Sequence, residues 1–257
     1  MRYYVIADVH SFYSEMMDAL KEQGYFEDAQ PHKLIICGDL LDRGQEAVAM
    51  RDFVLELLSR DEVILIRGNH EDLALDLINH WHLGSYRQFH HFTNGTIDTA
   101  CQLAGYCLDD FPRYVDEVGR AFLKDPMVQT VIPRMVDFFE TEHYIFVHGW
   151  IPCKKSVTDE MDLIYEAIPD WRGAAEANWK KARWLNGMEA AHYGITEPGK
   201  TIVCGHFHCS FGHAKYENDG GEYDDQPNFA PYYAPGIIAL DACTKLSRRV
   251  NCIVIED

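Results

Sequence analysis

The sequence predicts an α/β protein. Short β-branched or aromatic runs alternate with helix-like segments in the N-terminal part of the chain, and the apolar runs stop abruptly at charged or ligand-type side chains. The length of 257 residues is at the upper end of a single domain and allows a large core. The expectation is therefore one domain over residues 1–257.

Residues 3–7 form a first strand ending in Asp8-Val-His10, and 12–22 follow with the helical spacing of Met16, Met17 and Leu20. Residues 33–37 form a second strand. It runs into Leu34-Ile-Ile-Cys-Gly-Asp-Leu-Leu-Asp-Arg-Gly44, which delivers Asp39, Asp42 and Arg43 to the strand's C-terminal end. A single Gly-Asp or Asp-Arg-Gly is most simply turn chemistry. The repetition of the pattern argues against that, because open α/β sheets bind ligands beyond the carboxyl ends of their strands. A periodic helix covers 46–59, a third strand 62–66 ends in Arg67-Gly-Asn-His-Glu71, and 72–78 reads as helix.

From about 79 to 142 the pattern changes to a mostly helical insertion, with helices near 96–104 and 116–140. Its histidines, His80, His82, His90 and His91, have no defensible ligand spacing, and a partly exposed or core-satisfied role is favoured for them over a metal role. Residues 144–147 resume the sheet and stop at His148-Gly149, 158–182 reads as helix, and 201–204 is a strand stopping at Gly205-His-Phe-His208. The Gly- and acid-rich 217–225 reads as a mobile surface loop, and 237–240 and 250–255 as two closing strands, antiparallel neighbours.

Composition bounds the partners. With 41 acidic and 23 basic residues the net charge is -18, which disfavours duplex nucleic acid and anionic membrane. Eight cysteines without a Cys-x-x-Cys pair, and no signal-like apolar stretch after Met1, predict reduced thiols and a cytoplasmic location. No apolar run approaches the length of a spanning helix, so a soluble protein is expected.

Asp8, His10, Asp39, Asn69, His148, His206 and His208 all fall at strand ends and offer carboxylate, amide and imidazole donors without a thiolate. Such a set suits manganese, iron or zinc. Seven donors are too many for one ion and fit two sharing a carboxylate; a pair roughly 3.5–4 Å apart clamps a phosphoryl group. Asp39 is the natural bridge. His70 can protonate a leaving group, Asp42 can hold its other ring nitrogen, and Arg43 offers a planar fork to phosphate oxygens. Glu71 more simply braces the following helix.

Asp8-x-His10, Gly38-Asp-x-x-Asp-Arg-Gly44, Gly68-Asn-His-Glu71, His148-Gly149 and Gly205-His-x-His208, in this order, resemble the calcineurin-like metallophosphoesterase superfamily. The Asp-Arg-Gly and Arg-Gly-Asn-His-Glu forms point toward its serine/threonine phosphoprotein phosphatase branch, which includes bacterial and phage enzymes and the diadenosine tetraphosphate hydrolases. The resemblance implies a four-layer α/β/β/α sandwich with a dinuclear centre at one edge. It implies one ion on Asp8, His10 and Asp39 and the other on Asp39, Asn69, His148 and His206, with Mn²⁺ favoured over Fe or Zn. Two positions depart from the branch's pattern: Ala7 and Ser11 flank the first motif in place of glycines, and Gly205-His-Phe-His208 replaces Gly-His-Thr. The latter form is common in the wider superfamily and makes His208 a candidate ligand. The branch also uses a second phosphate-binding arginine; Arg183 is the candidate, with Arg172 behind it.

The function expected is hydrolysis of phosphate monoesters, phosphoserine or phosphothreonine in proteins foremost, by a metal-bridging hydroxide. Dinucleoside polyphosphate hydrolysis is the alternative, with Lys154 and Lys155 as cations for a further phosphate. A non-catalytic metal-binding scaffold is a third reading, disfavoured by the presence of His70, Asp42 and Arg43 together.

Overall fold

The computed structural model describes residues 1–157 and 163–257. The chain runs β1 (Arg2–Ile6), α1 (Tyr13–Glu22), β2 (His32–Cys37), α2 (Ala47–Ser59), β3 (Val63–Ile66), α3 (Asn69–Asn79), α4 (Phe89–Thr93), α5 (Thr96–Ala104) and α6 (Val115–Lys124). It continues with β4 (Phe139–Glu140), β5 (Tyr144–Phe146), β6 (Cys153–Val157), β7 (Leu163–Ala167), α7 (Glu176–Ala182), α8 (Gly187–His192), β8 (Thr201–Cys204) and α9 (Cys209–Gly212). It ends with β9 (Tyr232–Ala234), β10 (Ile237–Ala239), α10 (Thr244–Ser247) and β11 (Cys252–Glu256).

Two sheets carry the architecture. One has the order β11-β1-β2-β3, the other β4-β5-β8-β10-β9. Each has a parallel centre, with β1, β2 and β3 in register through Val5, Ile35 and Ile64, and β5, β8 and β10 through Ile145, Ile202 and Ile237. The outer strands β11, β4 and β9 pair antiparallel. Side chains alternate across a strand, so a strand buried on both faces must be apolar throughout. In β1 and β2, Val5, Ile35 and Cys37 point into a cluster shared with Phe146, Val203 and Leu240 of the other sheet. Tyr4, Ile6, Leu34 and Ile36 point the opposite way, into a cluster with α1, α2, α3, α5 and α6. The outer face of the second sheet buries Trp150, Trp171, Trp179 and Met188.

The first strands, α1, α2 and α5 lie where the hydrophobic period places them, within a residue or two. Three expectations are corrected. The helix expected over 116–140 ends at Lys124, because Pro126 and Pro133 remove backbone donors, and Phe139–Glu140 then pairs with β5. The part of 158–182 that is described is not one helix: Leu163–Ala167 pairs antiparallel with Cys153–Val157, Pro169 interrupts the chain, Trp171–Gly173 makes a single 3-10 turn and Glu176–Ala182 is α-helical; residues 158–162 lie outside the described residues. The closing strands are not neighbours. A turn at Gly236 folds β10 against β9, while β11 adds to the far edge of the other sheet beside β1. In the 217–225 stretch, expected as a mobile surface loop, the chain is irregular after Glu217, and Ser210 Oγ donates to the Glu222 carbonyl oxygen at 2.6 Å.

Candidate active site

The parallel strands of both sheets end at one edge. Beyond β1 stand Asp8 and His10, beyond β2 Asp39, beyond β3 Asn69, beyond β5 His148 and beyond β8 His206. All of them are buried or nearly so. Asp8, His10, Ser11, Asp39, Asp42, Arg43 and His206 have φ between 47° and 76°, a region that costs a non-glycine residue of order 1 kcal/mol or more. Such backbone persists only where the surroundings over-determine it, and here they do. The N–H of His10 donates to the Asp39 carbonyl oxygen at 2.9 Å, and that of Ser11 to Leu40 at 2.7 Å. Gly205 lies so close to the Asp8 carboxylate that a Cβ there would overlap it.

Asp39 belongs to two groups of donor atoms, one with His10 and His70 and one with His148 and His206; within each group the atoms lie within 4.8 Å of one another. Its Oδ2 is 3.6 Å from His10 Nε2 and its Oδ1 is 3.4 Å from His148 Nε2. Two ligands each about 2.1 Å from a tetrahedral ion stand about 3.4 Å apart, so these spacings fit a cation between donors. The tautomers agree. Nδ1 of His10 meets the Leu41 carbonyl oxygen at 2.9 Å and Nδ1 of His148 meets that of Cys37 at 2.8 Å. A carbonyl accepts only, which puts the proton on Nδ1 and leaves the Nε2 lone pairs facing Asp39.

Charge gives the same answer. Burial pushes His10 well below the ordinary histidine value, with Arg43 adding to it; burial also lowers His148, and, with His148 alongside, takes His206 down to about 3. Burial raises Asp8, and the charges of Asp241 and Asp39 raise it further. Neutral imidazoles beside crowded buried carboxylates form a set that a divalent cation stabilises.

His70 differs. Burial alone would lower it, but the charge of Asp39 and the hydrogen bond to Asp42 outweigh that and raise it. Its Nδ1 is 2.7 Å from Asp42 Oδ2. Asp42 is itself held from the start of α5, where Thr99 Oγ1 donates to Oδ1 at 2.7 Å and Thr96 Oγ1 to Oδ2 at 3.0 Å. Arg43 closes the group from the solvent side, with Nη1 3.0 Å from His10 Nε2 and Nη2 3.2 Å from His70 Nε2.

Asn69 and His70 lie in the first turn of α3, not in a loop before it, because Glu71 staples the turn. Its buried carboxylate accepts from the N–H groups of Gly68 at 2.8 Å, Asp39 at 3.1 Å and Leu40 at 2.9 Å, the bracing role expected of it. Asn69 Oδ1 is 2.7 Å from His148 Nε2. Asp8 accepts the His206 N–H at 2.8 Å but is not in either three-donor group. His208 stands apart from those groups too: its Nε2 is 3.0 Å from Glu222 Oε1 and its ring packs on Tyr223.

Arg183, expected as the second phosphate-binding arginine, has a buried guanidinium 2.7 Å from Asp72 and 3.3 Å from Glu176, paired also with Asp137. Trp184, the next residue, is 51 % exposed and stands edge-on to His206 with centroids 5.7 Å apart. Arg172 is held by Glu140 and Glu197. Lys155 pairs with Glu189 at 2.8 Å, while Lys245 and Arg248 share an open depression of about 390 Å³ with Arg43, Phe12 and Ser14.

Sequence reasoning missed Asp241, Thr96, Thr99, Trp184 and these two cations. Asp241, buried beside Asp8, had a signal: it ends an apolar run as Asp39 does. Thr96 and Thr99 had a weaker one, their i,i+3 spacing on one helical face.

Imidazoles and an amide gathered around one shared carboxylate, at a common edge of two α/β sheets, define a metal-ligating site. The chain belongs to the calcineurin-like phosphoesterase family, whose profile matches residues 1–210. It is similar to serine/threonine-protein phosphatase 1 of Salmonella typhimurium, 37% identical over 73 residues, which are 28% of this chain and 31% of that protein. It is similar as well to the asymmetrical bis(5'-nucleosyl)-tetraphosphatase PrpE of Anoxybacillus flavithermus, 35% identical over 78 residues, 28% of this chain and 32% of that one. The matched stretch thus spans about a third of these relatives' lengths. Among solved structures, a cold-active protein tyrosine phosphatase superposes with a TM-score of 0.52 at 15% identity, covering 99% of this chain and 73% of that one. A protein provisionally described as a diadenosine tetraphosphatase gives 0.51 at 15% identity, covering 99% and 89%. At that identity the likeness concerns the fold, and the family's α/β architecture is the one described above.

Proposed function

We propose that the protein is a dinuclear metal-dependent phosphatase acting on phosphate monoesters, with phosphoserine or phosphothreonine side chains as the favoured substrates. The observation that carries this reading is the sharing of Asp39 between two groups of donors, in which His10 and His148 present Nε2 lone pairs. Asp8, His10 and Asp39 would hold one ion, and Asp39, Asn69, His148 and His206 the other, with Mn²⁺ favoured for an oxygen- and nitrogen-only set. Bound there, the two ions would supply Lewis acidity and an activated water. His208, engaged by Glu222, is assigned to the first ion's surroundings only through its motif.

The chain's own residues supply the rest. Arg43 is the exposed cation beside the donors, and its fork can take two oxygens of a phosphoryl group. Asp42, fixed by Thr96 and Thr99, orients Nδ1 of His70, and its Nε2, now beside Arg43, would carry the proton once Arg43 turns to a phosphoryl group. That arrangement suits a general acid for the leaving oxygen. Eight free cysteines fit a reducing, cytoplasmic setting.

A second reading, dinucleoside polyphosphate hydrolysis, is favoured by two features: Trp184 offers a face on which a nucleobase can stack, and Lys245 lines the same depression as Arg43, where Arg248 is paired with Glu15. Steady-state kinetics with Mn²⁺ on a phosphopeptide, p-nitrophenyl phosphate and diadenosine tetraphosphate decide between them. Preference for the phosphopeptide is expected. A tenfold or greater preference in kcat/KM for the dinucleotide, about 1.4 kcal/mol of discrimination, that disappears in Trp184→Ala and Lys245→Gln would establish the second reading instead.

A further inference from the structure

A third group of donors lies away from the Asp39 centre. Asp76 on α3 and His90 and His91 on α4 place one donor atom each within 4.8 Å of one another. His91 is fully buried, and neither of its ring nitrogens has a hydrogen-bond partner. A buried polar atom without a partner costs about 1–3 kcal/mol, so such an atom calls for an explanation. Its Nε2 stands 3.4 Å from Asp76 Oδ2, long for a hydrogen bond. The same 3.4 Å separates His148 Nε2 from Asp39 Oδ1, and it is about the separation of two ligands on one tetrahedral ion. The rest of the cluster orients these donors. His80, one turn after Asp76, sets its Nδ1 3.0 Å from Asp76 Oδ1, which leaves Oδ2 for His91, and the ring of His90 stands 4.0 Å from that of His91.

We infer that Asp76, His90 and His91 form a separate divalent-cation site of the zinc class, with water or His80 completing four-fold coordination. Two imidazoles and a carboxylate without a thiolate suit Zn²⁺, Co²⁺ or Ni²⁺. An ion there satisfies His91 Nε2 and ties α4 to α3. The chain leaving α4 passes through Gly95, packed against the Arg43 backbone, into Thr96 and Thr99, which hold Asp42. The site is therefore structural, steadying the segment that positions the His70–Asp42 pair.

The test uses the full chain and keeps His91, so the core stays intact. Apo-protein is reconstituted with Zn²⁺, passed through a desalting column and assayed for bound metal, for the unaltered chain and for Asp76→Asn/His90→Asn. The expected result is one equivalent fewer in the double variant. Repeating both in an Asp39→Asn background, with Co²⁺ as the probe, separates this site from the Asp39 centre: a tetrahedral cobalt absorption band should persist in Asp39→Asn and vanish when Asp76→Asn/His90→Asn is added. Equal stoichiometry, or a cobalt band indifferent to Asp76 and His90, would overturn the assignment whatever the outcome for hydrolysis.

Discussion

The two walls of the site are built on different principles. The wall contributed by β1, β2, β3 and α5 is a closed hydrogen-bond network on strained backbone, in which Asp39, Asp42 and His70 are each fixed by more than one partner. The wall contributed by the second sheet hangs His148 and His206 on strand ends. Around them it places an arginine turned inward onto acids, an exposed tryptophan and a loop anchored at Glu222. Rigid polar over-determination serves reaction chemistry, where displacements of an ångström matter.

The largest expected effect tests the shared element. Asp39→Asn removes the charge common to both donor groups. Metal content should fall at both positions and kcat/KM for p-nitrophenyl phosphate should drop by roughly 10³-fold or more, as for residues acting as a unit. A variant that retains two tightly held Mn²⁺ would separate the walls and break the shared-carboxylate reading.

Within the first wall, His70→Asn should leave metal content unchanged and slow turnover by roughly 10²–10⁴-fold, more for an alkyl phosphate than for p-nitrophenyl phosphate. Thr99→Val, which removes one donor from Asp42, should give a smaller loss of about tenfold, corresponding to roughly 1.4 kcal/mol and in line with an unsatisfied buried acceptor. It should show the same dependence on leaving group. Equal losses on both substrates would make the pair structural.

On the second wall, Arg183→Met tests stability. Its charge neutralises Asp72 and Asp137, so its loss should destabilise the fold by about 3 kcal/mol, as breaking a buried pair does, read as a lowered Tm. KM for the phosphorylated substrate should change little. An unchanged Tm with a raised KM would restore Arg183 as a phosphate ligand.

The smallest effect concerns the seam between the sheets, where Asp257, after β11, meets His143, before β5, at 2.6 Å. The carboxylate raises His143, so that contribution is full below the ordinary value of 6.5 and fades as pH rises through the raised one. His143, with Thr141, holds Asp257 down at about 2, so this contribution is full above the ordinary 3.8 and fades as pH falls toward that value. The Tm difference between the unaltered protein and His143→Asn should be greatest near pH 5 and should shrink on both sides; a difference independent of pH would exclude the ion pair.

What was legible in the sequence followed the same division. β1, β2 and β3 could be read because both faces are buried and apolar runs end sharply, and the ligand residues because they sit at those ends. Residues whose role depends on a partner far along the chain could not. Nothing local tells that Thr99 meets Asp42, or that Glu222 reaches His208. At the end of α7, one helical step decides that Arg183 turns inward and Trp184 outward, and helix periodicity read without the neighbouring Asp72 and Asp137 cannot assign that step. The final strands were misjudged for a related reason: adjacency in sequence favours pairing, and here it gave way to a crossing between sheets.

The three-way grip of Glu71 has a kinetic consequence. Its partners Gly68, Asp39 and Leu40 are at most 32 residues away, whereas the His206 contact to Asp8 closes a separation of 198. Short loops close with less entropy lost and therefore earlier. The unit from β2 to α3 can thus assemble Asp39, Asn69 and His70 in their final places before β8 arrives. In pulse-labelled hydrogen exchange the amides of Gly68, Asp39 and Leu40 should become protected ahead of those of Gly205 and His206.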